Sequence, residues 1–137
     1  MNIKQLPLLL VLIGITCFSC KEDKVEVEID PAVAILGKWE VIEIGAWPNM
    51  NPIDEPYGYR EFLPDSILCD YDYQTEKSIY LKYSIDDIVL KEYLSTPNSV
   101  TLLLEHSYEF FEDGNKLRLD VENVSAWLPT QILQKID

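Results

Sequence analysis

From Trp39 onward the chain alternates apolar and polar residues with a period of two. In "SILCDYDYQ" residues Ile67, Cys69, Tyr71 and Tyr73 share one face, while Ser66, Asp70, Asp72 and Gln74 share the other with Leu68. In "SIYLKYSID" Ile79, Leu81, Tyr83 and Ile85 alternate with Ser78, Tyr80, Lys82 and Ser84. In "KLRLDVE" Leu117, Leu119 and Val121 alternate with Lys116, Arg118, Asp120 and Glu122. Successive side chains of an extended backbone point to opposite faces, so these runs predict antiparallel strands with one face toward a core and the other toward water. Further strand patterns fall at 39–46, 58–63, 88–94, 99–111 and 130–136. Between the runs stand "LPDS" at 63–66, "TPNS" at 96–99 and "EDGN" at 112–115, all turn chemistry and the last the mark of a hairpin. About eight strands in about 100 residues, at this spacing, predict a meander closed into a barrel. A short helix precedes it: in "DPAVAILGKWEV" Asp30 is placed to cap, Pro31 suits the first helical position and Gly37 ends the turn. The connection "AWPNMNPIDEPYGY", 46–59, carries three prolines and is too long for a tight turn, so it is expected to cover one mouth of the barrel.

The alternation does not reach the start of the chain. Residues 6–15 are apolar apart from Pro7 and Gly14, with Lys4 as the nearby charge. A run this short does not span a bilayer and reads as a targeting segment. It ends in "TCFSC", which resembles the lipobox of bacterial lipoproteins, where a signal peptidase cuts before a cysteine that is then acylated. Ser19 is the small residue before the cut and Cys20 the lipidated residue; lipidation at Cys17 and a plain secretory signal are the alternatives. The "KEDKVEVEID" that follows is too charged to fold alone. Its "KED" resembles the acidic export signal that carries lipoproteins of diderm bacteria to the outer face of the outer membrane. The expected organisation is therefore a lipoprotein signal peptide at 1–19, an acidic tether at 20–32 and a barrel domain at 33–137. The expected location is the outer membrane, surface-exposed, with the membrane as a partner through the lipid on Cys20. Two or more acyl chains make such attachment stable.

Charge narrows the remaining partners. The 137 residues carry 24 Asp and Glu against 11 Lys and Arg, a formal net charge of −13, and loss of residues 1–19 would remove only Lys4 from that count. Nucleic acid is excluded as a partner, because its binding depends on cations that neutralise phosphates. Adsorption to an anionic bilayer is excluded for the same reason, which leaves the lipid to do the anchoring. With Cys17 removed and Cys20 acylated, Cys69 has no disulfide partner and the core must supply stability.

No catalytic constellation emerges from the residues, and neither a cofactor nor a metal is expected. "DYDYQTEKSIYL" has carboxylates at the first and third positions of a calcium loop, but Gln74, Thr75 and Leu81 stand where the fifth, sixth and twelfth positions need a ligand, a glycine and a bidentate carboxylate. His106, the one histidine, falls on a strand face with Val100, Leu102, Leu104, Tyr108 and Phe110. It is expected to be partly buried and bonded to a backbone group, and no Gly-x-Ser-x-Gly elbow offers it a nucleophile. Cys69 on an apolar face acts as a small hydrophobe. The acidic pairs Asp86 with Asp87 and Glu112 with Asp113 sit at turns, where they do not face one another across a substrate. Trp47, Tyr57, Tyr59 and Trp127 lie in or beside loops and are the candidate contacts for a sugar ring or an apolar ligand.

"ILGKWEV" at 35–41 carries Gly37 and Trp39 in the Gly-x-Trp spacing that opens the first strand of lipocalins. With "YSIDD", "YEFFEDGNKLRL" and the terminal "ILQKI", residues 33–137 resemble the bacterial lipocalin-like domains found behind lipobox signals. The resemblance implies an eight-stranded antiparallel up-and-down barrel, all-β apart from the short N-terminal helix, with Trp39 across its closed end and Lys135 as the basic residue that could stack on it. The resemblance transfers architecture better than function; the expected function is a surface-anchored, non-enzymatic binding or accessory lipoprotein, with a small apolar molecule or a glycan as the candidate ligand and an enzyme as the less favoured class. The alternative is a protein-interaction module of an outer-membrane nutrient-uptake complex, partnered by an outer-membrane protein. Tyr71, Tyr73, Tyr83, Tyr108 and Phe110 are expected to point inward and fill the lumen, leaving a shallow pocket near Trp47 and Tyr57; the opposing expectation is a wet cavity lined by tyrosine hydroxyls.

Overall fold

A computed structural model of the chain describes residues 29–123 and 128–137. The helix is one turn, α1 (Pro31–Ala34), and it forms as its sequence predicts: Asp30 accepts a hydrogen bond from Ala32 N at 2.9 Å, and Pro31 opens the turn. Nine strands follow among the described residues: β1 (Gly37–Ala46), β2 (Asn49–Pro52), β3 (Gly58–Phe62), β4 (Ile67–Asp72), β5 (Lys77–Ile85), β6 (Val89–Thr96), β7 (Ser99–Phe111), β8 (Lys116–Val121) and β9 (Thr130–Ile136). From β3 to β9 each strand pairs antiparallel with the next, and β9 returns to β1 with Trp39 opposite Lys135 and Val41 opposite Leu133. The result is a closed, eight-stranded antiparallel up-and-down barrel with β2 as one extra strand, the architecture implied by the strand pattern.

Strand β2 was not legible in the sequence. The segment 46–59 does not hang over a mouth as one loop. Trp47 and Pro48 make a tight turn, and β2 pairs back onto β1 with Ala46 opposite Asn49 and Glu43 opposite Pro52. β3 then takes the same edge of β1 farther down, with Glu40 opposite Tyr59 and Gly37 opposite Phe62. The prolines that suggested a loop sit at the turn, at the end of an edge strand and in the short excursion between β2 and β3. None of these places asks for a ladder hydrogen bond that proline cannot donate.

One end of the barrel is filled. Ile35, Trp39, Phe62, Leu68, Tyr83, Leu90, Leu117, Leu119 and Leu133 form a continuous buried core, against which Tyr108 and Phe110 pack. α1 covers this end. Trp39 Nε1 donates to Ile35 O at 2.7 Å, while Lys135 Nζ donates to Ala34 O at 3.1 Å and lies 5.2 Å from the centre of the Trp39 ring. Gly37, between helix and strand, has φ +111°, a conformation L side chains rarely adopt, and a Cβ there would sit 3.2 Å from Lys135 Cε.

The faces of β4 are the reverse of the expected ones. Arg60 is opposite Asp70 and Phe62 opposite Leu68, so Leu68, Asp70 and Asp72 make the inward set. Tyr71 and Tyr73 belong to the outer face. There Tyr71 stacks on Tyr59 at 5.0 Å between ring centres, Tyr73 donates its hydroxyl proton to Glu40, and Lys38 Nζ lies 5.0 Å from the Tyr59 ring centre. The Glu40 carboxylate, with some help from burial, pushes the Tyr73 hydroxyl up to about 12. Two of the five aromatics expected in the lumen are thus outside it.

Candidate functional site

With Tyr73 turned away and Tyr71, like Tyr59, contributing only to its edge, a cavity of about 660 Å³ opens in the half of the barrel away from α1. Its size falls within the roughly 300–1,000 Å³ of small-molecule sites. The expectation of a filled interior with a shallow pocket is corrected here. Tyr83, Tyr108 and Phe110 do occupy the interior, but in the closed half, where Tyr83 hydrogen-bonds Leu63 O at 2.8 Å. The cavity walls are largely apolar, with Val41, Ile79, Leu81, Leu103, Leu104 and Leu128 among them.

Its floor is charged. On β3 the inward residues run Gly58, Arg60, Phe62; on β4, Asp72, Asp70, Leu68; on β7, Leu104, His106, Tyr108. In each case the first lines the cavity, the last belongs to the core or, for Tyr108, packs against it, and the polar residue between them is the step from one to the other. Glu92 takes the same place on β6, next to Leu90 of the core. These four side chains are joined. Arg60 donates to Asp70 through Nε at 2.8 Å and to Glu92 through Nη2 at 2.7 Å, and His106 Nε2 lies 2.7 Å from the other Glu92 oxygen. Arg60 also lies with its guanidinium carbon 5.8 Å from the centre of the Phe62 ring, directly on the core.

The electrostatics follow from burial. Glu92 is 2% exposed and His106 3% exposed. Burial by itself would push the Glu92 carboxyl up, but the Arg60 charge and the hydrogen bonds from His106 and Arg60 outweigh it and hold the group down at about 2. For Arg60 the same contest ends with its proton held more firmly than usual: burial works against the charge, and Glu92 and Asp70 more than restore it. Glu92 is therefore a carboxylate, which can only accept, and the His106 Nε2 facing it must carry a proton. The other ring nitrogen, Nδ1, is buried and has no hydrogen-bond partner among the described residues. His106 is thus more deeply buried than its sequence context suggested, and it bonds a carboxylate instead of a backbone group. The calcium-like stretch holds no cage, and among the described residues no group of three or more His, Cys, Asp and Glu is arranged to hold a metal ion.

The four aromatic residues expected to contact a ligand do not converge. Tyr57 stands at the cavity edge, 56% exposed. Tyr59 adds to the wall, although it lies on the opposite face of β3 from Arg60 and its ring stacks on Tyr71. Trp47 is at the β1–β2 turn and does not line the cavity; the Arg118 guanidinium carbon lies 4.7 Å from the centre of its ring. Trp127, like Cys20, the residue expected to carry the lipid, lies outside the described residues. Arg60, Asp70 and Glu92 were missed. The sequence held one usable sign, an arginine alternating with Gly58 and Phe62 in "GYREF", where a cation shares the face of a core aromatic.

Neither a protein-family model nor a curated protein sequence matches the chain.

Proposed function

We propose that the protein is a non-enzymatic binding lipoprotein of the lipocalin-like kind, anchored through Cys20 at the outer membrane, whose barrel takes a small and largely apolar ligand. The observation that carries this reading is the cavity of about 660 Å³ with apolar walls, in a barrel of otherwise well-filled interior. A site that buries a ligand in this way draws most of its affinity from apolar area, at about 25 cal/mol per Å² removed from water. The lipobox-like "TCFSC" and the acidic tether support the anchor and the location, and the Gly-x-Trp opening supports the kinship. Displacement of a neutral environment-sensitive dye by apolar ligands tests the cavity. Saturable binding at micromolar concentration is expected in the wild type and should be lost in Leu104→Trp, which fills the wall; a dye that binds both proteins equally, or neither, refutes the reading.

A second reading, an interaction module beside an outer-membrane uptake complex, has one observation in its favour. Residues 93–104, which form most of the β6–β7 hairpin, contain no charged side chain in a chain that is 26% charged. Leu94, Val100, Leu102 and Leu103 are all exposed there. An apolar ribbon of this kind suits a protein partner. Co-purification of one outer-membrane protein with the wild type, abolished by Leu102→Glu, would favour the module over the free small-molecule binder.

A further inference from the structure

The cavity floor gives the ligand a chemical class. Resting on the small-molecule reading above, we infer that His106 Nδ1 is the polar recognition point of the cavity and that the ligand is an uncharged amphiphile, an apolar body ending in one hydroxyl group.

His106 is held by the protein in a way that leaves a single function open. Its Nε2–H is committed to Glu92, Glu92 is committed on its other oxygen to Arg60, and Arg60 is braced by Asp70. The Nε2 proton is thereby fixed and Nδ1 is the remaining group, which accepts a hydrogen bond when the ring is neutral. His106 is 3% exposed, it forms part of the cavity wall, and among the described residues nothing bonds its Nδ1. A buried polar nitrogen without a partner is unfavourable, so a molecule in the cavity that donates a hydrogen bond to it gains over one that does not.

The charges of the floor decide what donates. Arg60 is one cation facing two carboxylates, Asp70 and Glu92, and on the wall above them Asp72 and Lys77 offset each other. A ligand carboxylate would add a further negative charge to a floor that already has an excess of one, at the bottom of a protein of net charge −13. A ligand amine would avoid that repulsion, but would bring an ammonium ion out of water along apolar walls with Glu92 and Asp70 already paired. A hydroxyl meets neither obstacle. It donates to Nδ1 and leaves the ion network as it stands, while its apolar body lies along Ile79, Leu81, Leu103 and Leu104.

The test uses the full chain in lipid nanodiscs, with a linear C12 alkanol, the carboxylate of the same length and the parent alkane as competitors for a neutral dye. The alkanol is expected to bind roughly threefold to tenfold more tightly than the alkane, the effect of one net hydrogen bond, and more tightly than the carboxylate. Because the chain has a single histidine, labelling with nitrogen-15 histidine isolates its ring signals. The alkanol should move the Nδ1 resonance while Nε2 stays close to its starting value. His106→Phe keeps an aromatic ring in the wall and removes the acceptor, so it should bring the alkanol down to the affinity of the alkane, with retained dye binding showing that the cavity is intact. Equal binding of alkanol and alkane by the wild type, tighter binding of the carboxylate, or dye displacement without movement of Nδ1 would overturn the inference and leave the binding cavity standing. A wild type that binds neither dye nor competitor would overturn both.

Discussion

Glu92→Gln separates the charge of the buried network from its shape. Glutamine fills the same space and can still accept from His106 Nε2, but it no longer faces Arg60 with a full charge. A carboxyl that titrates at about 2 in the folded protein against 4.5 unperturbed contributes on the order of 3 kcal/mol of stability. Removal of one partner from a buried pair costs about 3–5 kcal/mol by an independent route, since Arg60 is left with Asp70 alone. The sign of the pH dependence follows from the direction of the shift. The folded protein releases the Glu92 proton more readily than the unfolded chain, so the stabilisation is complete above about pH 4.5 and disappears as the pH falls toward about 2. Urea denaturation of both proteins followed by circular dichroism should show a gap of about 3 kcal/mol at neutral pH that closes as the pH falls from about 4.5 to about 2. Other carboxylates held down in the fold, such as Asp72 and Asp86, are common to both proteins and cancel in the difference. A gap of the same size at every pH would show that the variant acts through packing and that Glu92 is not held as a carboxylate by Arg60.

The remaining predictions concern the packing of the barrel and the anchor. Leu119→Ala should lower stability by about 2–5 kcal/mol, because Leu119 is 1% exposed in the core, and denaturant midpoints for it and Arg118→Ala check the assignment of faces. Arg118→Ala should change stability by about 1 kcal/mol or less, since its ion pairs with Glu109 and Asp120 are at the surface. Cys20→Ala should abolish incorporation of a palmitate analogue and release the protein from the outer membrane, whereas undiminished labelling would move the anchor to another residue.

The barrel was legible because its signals are local. Turn chemistry at 63–66, 96–99 and 112–115 and the period-two runs between the turns need no knowledge of neighbouring strands, and all three turns separate consecutive strands. "KLRLDV" also gave its inner face correctly, since Leu117 and Leu119 have no apolar rivals on the other side. "ILCDYDY" did not. Both of its faces carry apolar residues, and the choice was made by partners far away in the chain. Arg60 compensates Asp70 inside, and Tyr59 gives Tyr71 a stacking partner outside. An aspartate reads as solvent-facing until the cation on the next strand is known. Glu92 was hidden in the same way, because "VLKEYL" places one charge on each face and only the barrel shows which of the two is buried.

The position of the network bears on why it is there at all. Buried ion pairs are seldom the most stable way to fill a core, and apolar residues of equal volume often do better. This barrel shows the alternative one step away, for beneath Arg60, Asp70, Glu92 and His106 lie Phe62, Leu68, Leu90 and Tyr108, packed without a charge among them. The same strands could have carried that pattern one layer farther and closed the barrel with more apolar side chains. Instead, four strands place polar groups together where the packing ends and the cavity begins, and three of them are used to fix the fourth. A purely apolar floor would accept any apolar molecule of suitable size, because removal of a methylene or addition of a hydroxyl changes little in an apolar pocket. A floor with a buried nitrogen that none of the described residues pairs discriminates by cost, since every molecule that fails to donate to it keeps the nitrogen unsatisfied. The charges of Arg60, Asp70 and Glu92 then act through His106: they hold its proton on Nε2 and so determine which hydrogen-bonding role its other nitrogen offers to the cavity.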